Sequence, residues 1–254
     1  MIEAIKKHWF LFTELVKRDF KKKYKRTYLG MVWSLLSPLL TLLIMRLVFT
    51  QFFGRIDHYT TYLFCGNMIF AYFSDSASRG MISLHSNSGI FTKINVPKYI
   101  FLFSTEVSAL INFGLTFIVF LVFCIIDGVM ITPFFLLLII PIICLVIFNL
   151  GVGLILSALF VFFRDLQYLW GIFTTLLMYM SAIFYDVAQF PEWAQKLFLL
   201  NPVYVYISYF RTVVLGAAMP SLTVNLLALG YALVFFIVGA LIYKKCNHKF
   251  IYYV

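Results

Sequence analysis

Charge is the first thing this sequence lacks. Only 12% of its 254 residues are charged, and just ten are acidic. A water-soluble domain carries roughly 25% charged residues and about half apolar ones. At 63% hydrophobic and a mean hydropathy of +0.97, this chain would expose more apolar surface than water tolerates. A disordered chain is excluded as well, because 30 Phe and 16 Tyr are the opposite of a disordered composition. The acids form no DxD and no close carboxylate pair of the kind that holds a metal or performs acid–base work. The four histidines (His8, His58, His85, His248) fall in terminal segments or connections. The four cysteines (Cys65, Cys124, Cys144, Cys246) are scattered, with neither a disulfide framework nor a CxxC pattern. HExxH, GxSxG and GxxxxGK[ST] are all missing, so no metalloprotease, serine hydrolase or P-loop is encoded. No metal, cofactor or catalytic constellation is expected in this chain. An all-α polytopic membrane protein is what remains.

What is present is apolar sequence in long runs. A hydrocarbon core about 30 Å thick needs roughly 20 apolar residues as a helix. Runs near 30–53, 61–80, 100–126, 133–162, 168–186 and 221–243 give six expected transmembrane helices. Pro38 and Pro141 lie inside two of them and are candidate kinks. With six spans both termini share a side. Placing that side in the cytoplasm puts sixteen of the twenty Lys and Arg inside, nine of them before residue 27. The positive-inside rule therefore predicts cytoplasmic termini. The N-terminus has no short apolar stretch and cleavage site of a secretory signal.

Two segments do not fit a plain span. Residues 187–219 are apolar but carry Glu192, Lys196, Asn201-Pro202 and Arg211; a full span here would move Lys244-Lys245 outside. Two short re-entrant helices broken at Asn201-Pro202 reconcile both facts, facing a pathway or forming an outer cap. Residues 1–28 form the other unit: Ile5, Trp9, Phe12, Val16 and Phe20 recur at helical spacing, with Lys6, Lys7, Lys17, Arg18, Lys21 and Lys22 on other faces. This predicts a cytoplasmic amphipathic helix in the membrane interface, preceding a permease unit over 29–254. Ionisable residues within reach of the bilayer are few. Arg46 can snorkel, Asp75 and Arg79 can pair at i,i+4, and Glu106 lies two turns into the third span. Ion coupling and interhelical pairing are both open to them.

The inner connections are short. MISLHSNSGIFTKINVPKY (81–99) precedes the third span, and FFRDLQY (162–168) separates two strongly apolar runs. Read from charge alone, each is a solvated turn.

Four stretches in order carry a resemblance. LVKRDFKKKYKRTYLGMVWSLLSPLLTLL (15–43) places a basic helix before Leu29-Gly30, Trp33 and Pro38; FTKINVPKYIFLF (91–103) has a basic residue and a Pro before a span. GVGLILSALFVFFRDLQYLW (151–170) runs a span into Phe-Arg-Asp, and NPVYVYISYFRTVVLG (201–216) carries Asn-Pro, Phe-Arg and Leu-Gly. Over nearly the whole chain the sequence resembles permease subunits of polysaccharide, O-antigen and teichoic-acid export ABC transporters, the type-2 ABC exporters.

The resemblance implies two copies of this chain in the bacterial cytoplasmic (inner) membrane, paired with two ATP-binding cassette subunits that bind the ATP and Mg. It implies export of a glycan on undecaprenyl diphosphate. Phe91, Lys93, Pro97 and Lys98, with Phe163, Arg164, Asp165 and Gln167, would then dock on the ATPases. Lys21, Lys22, Lys25 and Arg26 would meet the lipid head group, or serve only as a topology anchor. Tyr179, Phe184, Tyr185, Tyr204, Tyr206, Tyr209 and Phe210 are candidates to stack on sugars along the path, or belong to the interfacial aromatic belt. The cargo stays open among O-antigen, capsule and teichoic acid, and nucleic acid is not a partner. Other classes remain: an ABC permease for a smaller lipid or drug, a stand-alone flippase, or a secondary transporter.

Overall fold

The computed structural model describes residues 2–24, 28–53 and 57–253, and among these every regular element is helical. The helices are α1 (Ile2–Tyr24), α2 (Trp33–Phe53), α3 (Tyr59–Ser86), α4 (Ser88–Phe91), α5 (Tyr99–Ile126) and α6 (Ile139–Phe162), followed by α7 (Leu166–Met180), α8 (Glu192–Phe198), α9 (Pro202–Val214), α10 (Leu222–Cys246) and α11 (Phe250–Tyr253). Short 3₁₀ turns at Gly30–Val32 and Pro133–Leu138 lead into α2 and α6. Among the described residues, four helices are long and apolar enough to cross a membrane: α2, α5, α6 with its leading turn, and α10. The bent pair α8–α9 brings the count to five if it is taken as one span. Helix α3, with 28 residues, has the length but is less apolar; α7, with 15, is apolar but short. Long helices thus occupy five of the six expected runs, and the 168–186 run departs from expectation by ending at Met180.

The core is built on α6, which packs most extensively against α10 and α3; α3 also packs on α5. Lipid tails are as apolar as the helices, so close backbone approach must supply the association energy. Gly151 and Gly239 show how. A Cβ on Gly151 would lie 2.4 Å from the Phe235 backbone, and one on Gly239 would lie 2.5 Å from the Gly151 carbonyl oxygen. At these two positions the α6–α10 crossing admits no side chain.

Helix α1 docks against α5 with only part of its apolar stripe, Phe12 being half-buried there. Trp9 is 57% exposed, whereas Leu15 and Asp19 are buried. The Asp19 carboxylate accepts from Arg18 at 2.7 Å and from the Ser104 hydroxyl of α5 at 3.5 Å. A paired acid thus sits in the contact face, rotated from the Trp9 row.

Candidate coupling and transport site

One end of the bundle gathers the connections with most of the basic residues. A separate apolar cluster there joins Leu15 of α1, Leu84 of α3, Phe91 of α4, Phe101 of α5, Val161 of α6, Tyr243 of α10 and Phe250 of α11. Phe250 is fully buried, and its ring meets Tyr243 at 5.1 Å and Phe162 at 6.2 Å. Lys98 ties the ends of this cluster together. Its ammonium donates to the Asn247 carbonyl at 2.7 Å and lies 5.9 Å from the Phe91 ring centroid and 5.7 Å from that of Phe250. Burial lowers the Lys98 pKa from the ordinary lysine value. The C-terminal residues read from sequence as a basic tail are therefore part of the packing that holds the 91–98 segment.

Both expected coupling segments lie at this end, as the 6.0 Å approach of His85 and Phe160 between the ends of α3 and α6 shows. Phe91 and Val96 anchor the first segment inward, leaving Lys93 and Ile94 exposed, with Pro97 and Lys98 half-buried. In the second, α6 stops at Phe162 because Phe163 turns extended (φ −131°, ψ 91°). Arg164 and Asp165 form the turn, and α7 starts at Leu166. Phe163, Arg164, Asp165 and Gln167 are all exposed, so this connection is a short, three-residue corner with its outer surface free for contact among the described residues. Lys21 and Lys22 are exposed on α1, while Lys25 and Arg26 lie outside the described residues.

Midway along the helices, buried polar groups gather between α3, α5 and α6. Glu106 is 5% exposed and accepts from the hydroxyls of Tyr72 and Ser76; Asn149 of α6, 1% exposed, faces the Tyr72 hydroxyl. The Asn149 amide completes no hydrogen bond among the described residues. Close by, Asp75 pairs with Arg79 at 3.3 Å, and Arg79 also reaches the Ser108 hydroxyl at 3.2 Å. Asp75 and Arg79 thus pair along α3, while Arg79 and Glu106 make their further contacts across the α3–α5 interface. Beside this network a half-open cleft of 540 Å³ separates α2 from α3 and α5, and Tyr72 and Asp75 form part of its wall.

The opposite end is rich in tyrosine and built on irregular backbone. Helix α7 stops at Met180, and Ala182 takes a left-handed φ of 49°, a conformation that costs an L-residue energy. Arg211 of α9 compensates. Its guanidinium donates to the carbonyls of Ala182 (2.8 Å), Ile183 (2.9 Å) and Tyr62 (3.3 Å), with its Cζ 3.4 Å from the Tyr62 ring centroid. Asn201 caps α9 by accepting from the Val203 N–H at 3.0 Å and donates to the Met180 carbonyl, while α8 and α9 bend by 106° at the Asn201-Pro202 break. Tyrosine hydroxyls clamp further carbonyls: Tyr59 on Phe184, Tyr62 on Tyr185, Tyr206 on Ala228 and Tyr231 on Leu199. Non-helical backbone at membrane depth needs such internal partners.

These clamps place the aromatics expected along a path. Tyr206, Tyr209 and Phe210 are at most 1% exposed, and Phe184 is buried against Phe49. In this conformation their rings sit in the protomer core and offer no face to a sugar, a correction that follows from α9 packing on α3 and α10. Tyr185 and Tyr204 are half-buried, and Tyr179 is exposed.

Comparison with known proteins agrees with this architecture. The O-antigen export system permease protein RfbA of Klebsiella pneumoniae is 28% identical over 244 residues, covering 94% of this chain and 93% of the relative. The protein of the same name from Myxococcus xanthus is 28% identical over 215 residues, covering 83% and 82%. Residues 11–215 match the family model described as ABC-2 type transporter. That match takes in α2 to α9 and both expected coupling segments, and the chain belongs to the ABC-2 type transporter family, the permeases of type-2 ABC exporters.

Proposed function

We propose that this chain is the membrane subunit of an exporter of lipid-linked polysaccharide of the O-antigen type, working as two copies with two ATP-binding cassette subunits. The observation that carries the coupling half of this reading is the exposed corner Phe163-Arg164-Asp165-Gln167, held between α6 and α7 beside the packed 91–98 segment. A push on such a corner is passed directly to α6, the helix on which the core is built. The cargo half rests on the relatives over nearly their full length, whose printed names are those of O-antigen export permeases.

In this reading α3 and α7 join the four most apolar helices as spans, making six. The α8–α9 pair re-enters from the outer face, and both termini and the basic end lie in the cytoplasm. ATP and Mg belong to the partner subunits, and this chain performs no bond-breaking chemistry. Closure of the ATPases moves the corners and opens a path between the two copies. Lys21, Lys22, Lys25 and Arg26 meet the diphosphate of an undecaprenyl-linked glycan at the inner leaflet.

The test is to replace Arg164 and Asp165 together by Ala. Both are exposed, so insertion and yield stay unchanged. Co-purification of an ATP-binding cassette subunit and the appearance of polysaccharide at the cell surface are both expected to fall. Normal export by that double variant refutes the coupling assignment.

A further inference from the structure

The cleft between α2 and the α3–α5 pair is a polar-lined space among apolar helices that the coupling argument leaves unused. Its 540 Å³ lies in the range of about 300–1,000 Å³ usual for small-ligand sites. Its walls carry Trp33, Ser37, Thr41, Asn67, Asp75 and Asn112. Polar side chains at membrane depth are costly unless they find partners. Here several have not: among the described residues, no hydrogen bond engages the Asn67 amide or the hydroxyls of Ser37 and Thr41. These groups stand on two facing helices, α2 and α3, so whatever satisfies them must lie between the two.

The chemistry of the lining is specific. Asn67 offers a donor and an acceptor, Asp75 offers acceptors, and the Ser and Thr hydroxyls offer both. Trp33, 39% exposed, adds a broad apolar ring at one end. Hydroxyl-rich rings with apolar CH faces match this combination. A lipid tail would leave the polar groups unpaired, and an inorganic anion would meet Asp75 with no facing cation in the wall, since Arg79 is turned to Asp75 itself and to Ser108.

We propose that this cleft is a carbohydrate subsite, holding a sugar unit of the cargo between α2 and α3 during transport. The assignment rests on the exporter reading above and adds to it a place where the glycan is gripped within one protomer. Because α2 is the least packed of the long apolar helices, the cleft can widen or close by movement of α2 alone.

Export is measured in cells as the ratio of surface to intracellular polysaccharide. Asn67→Leu combined with Thr41→Val keeps volume and removes two sites of hydrogen bonding, and export is expected to fall roughly tenfold. Ala71→Phe, at an exposed position in the cleft wall, fills the space without disturbing the core and is expected to reduce export at least as much. Asn67→Gln, which keeps the amide, is expected to retain most of it. Membrane level, ATPase co-purification and association of two differently tagged copies stay unchanged in all three. Full export by Ala71→Phe or by the double variant overturns the subsite. Loss of association between copies overturns it too, making the cleft a subunit contact. Polysaccharide that still reaches the surface after deletion of the whole chain removes the exporter reading itself, a result distinct from either.

Discussion

Helices α2 and α6 are both long and both apolar, and each contains a proline (Pro38 and Pro141), yet the protein treats them differently. Of the most apolar stretch of α6, 44% is buried inside the protomer; of that in α2, 6% is. Helix α6 touches α3, α5, α9 and α10, and carries Gly151, which together with Gly239 of α10 lets the two helices approach. Helix α2 leans on α3 and α5 across a polar cleft and presents Leu40, Leu43, Ile44, Leu47 and Val48 outward. Hydropathy alone does not distinguish a helix that holds a permease together from one free to shift or to meet a second copy. What distinguishes them is small residues and buried polar groups on α6, and their absence from the outward side of α2.

The sharpest way to break the contrast is at the α6–α10 crossing. Gly151→Leu places atoms where the Phe235 and Phe236 backbone now sits, closer than 3 Å already at Cβ. The helices must separate, and a loss of more than about 4 kcal/mol is expected, seen as failure to recover monodisperse protein in mild detergent. Recovery with an unchanged melting temperature would mean that α6 is not the central element.

Next comes Arg211→Met. It keeps the volume but strips three carbonyls, at Tyr62, Ala182 and Ile183, of their donor. With each buried unsatisfied group costing about 1–3 kcal/mol, a total of at least about 3 kcal/mol is expected, with protease sensitivity appearing first around 181–190. Arg211→Lys is expected to recover only part, because an ammonium cannot span the same fork. Phe250→Ala tests the second cluster. Deleting a fully buried ring costs about 3–5 kcal/mol. Because the loss falls on the packing behind the 91–98 segment, ATPase co-purification is expected to weaken with the melting temperature.

Much of this was legible in the sequence, and the failures have physical causes. The breaks at Asn201-Pro202 and Arg164-Asp165 announced themselves, since an Asn cap before Pro and a charged pair between apolar runs are both local signals. The end of α7 at Met180 was hidden because what stops it is distant: Arg211 and Asn201 take up the carbonyls that the helix releases. The sequence shows the apolar stripe of α1 but not that Asp19 joins its contact with α5, because Ser104, its partner, is 85 residues away. Tyr206 read as a sugar platform or part of a membrane belt, and Tyr59, Tyr62 and Tyr231 carried no signal at all; the hydroxyls of all four go to backbone carbonyls that only the folded chain brings near. The role of Phe250 could not be read at all, as a lone aromatic after a lysine gives no sign of being buried.

The smallest effect belongs to α2. Leu43→Ala with Leu47→Ala removes six side-chain carbons in total from helix positions that are 55% and 70% exposed. In α6 a comparable truncation would open a cavity and cost about 2–5 kcal/mol per residue. Here no neighbouring helix of the same protomer loses a filled space, so the melting temperature of the separated protomer is expected to stay within the change that ~0.5 kcal/mol produces. Association is the independent measurement. If the open side of α2 faces lipid, both the protomer and the pairing of two tagged copies are unaffected; if it faces a second copy, pairing weakens while the protomer holds. A drop in protomer stability like that of Phe250→Ala would erase the distinction between the two helices, because it would show α2 packed as tightly as α6.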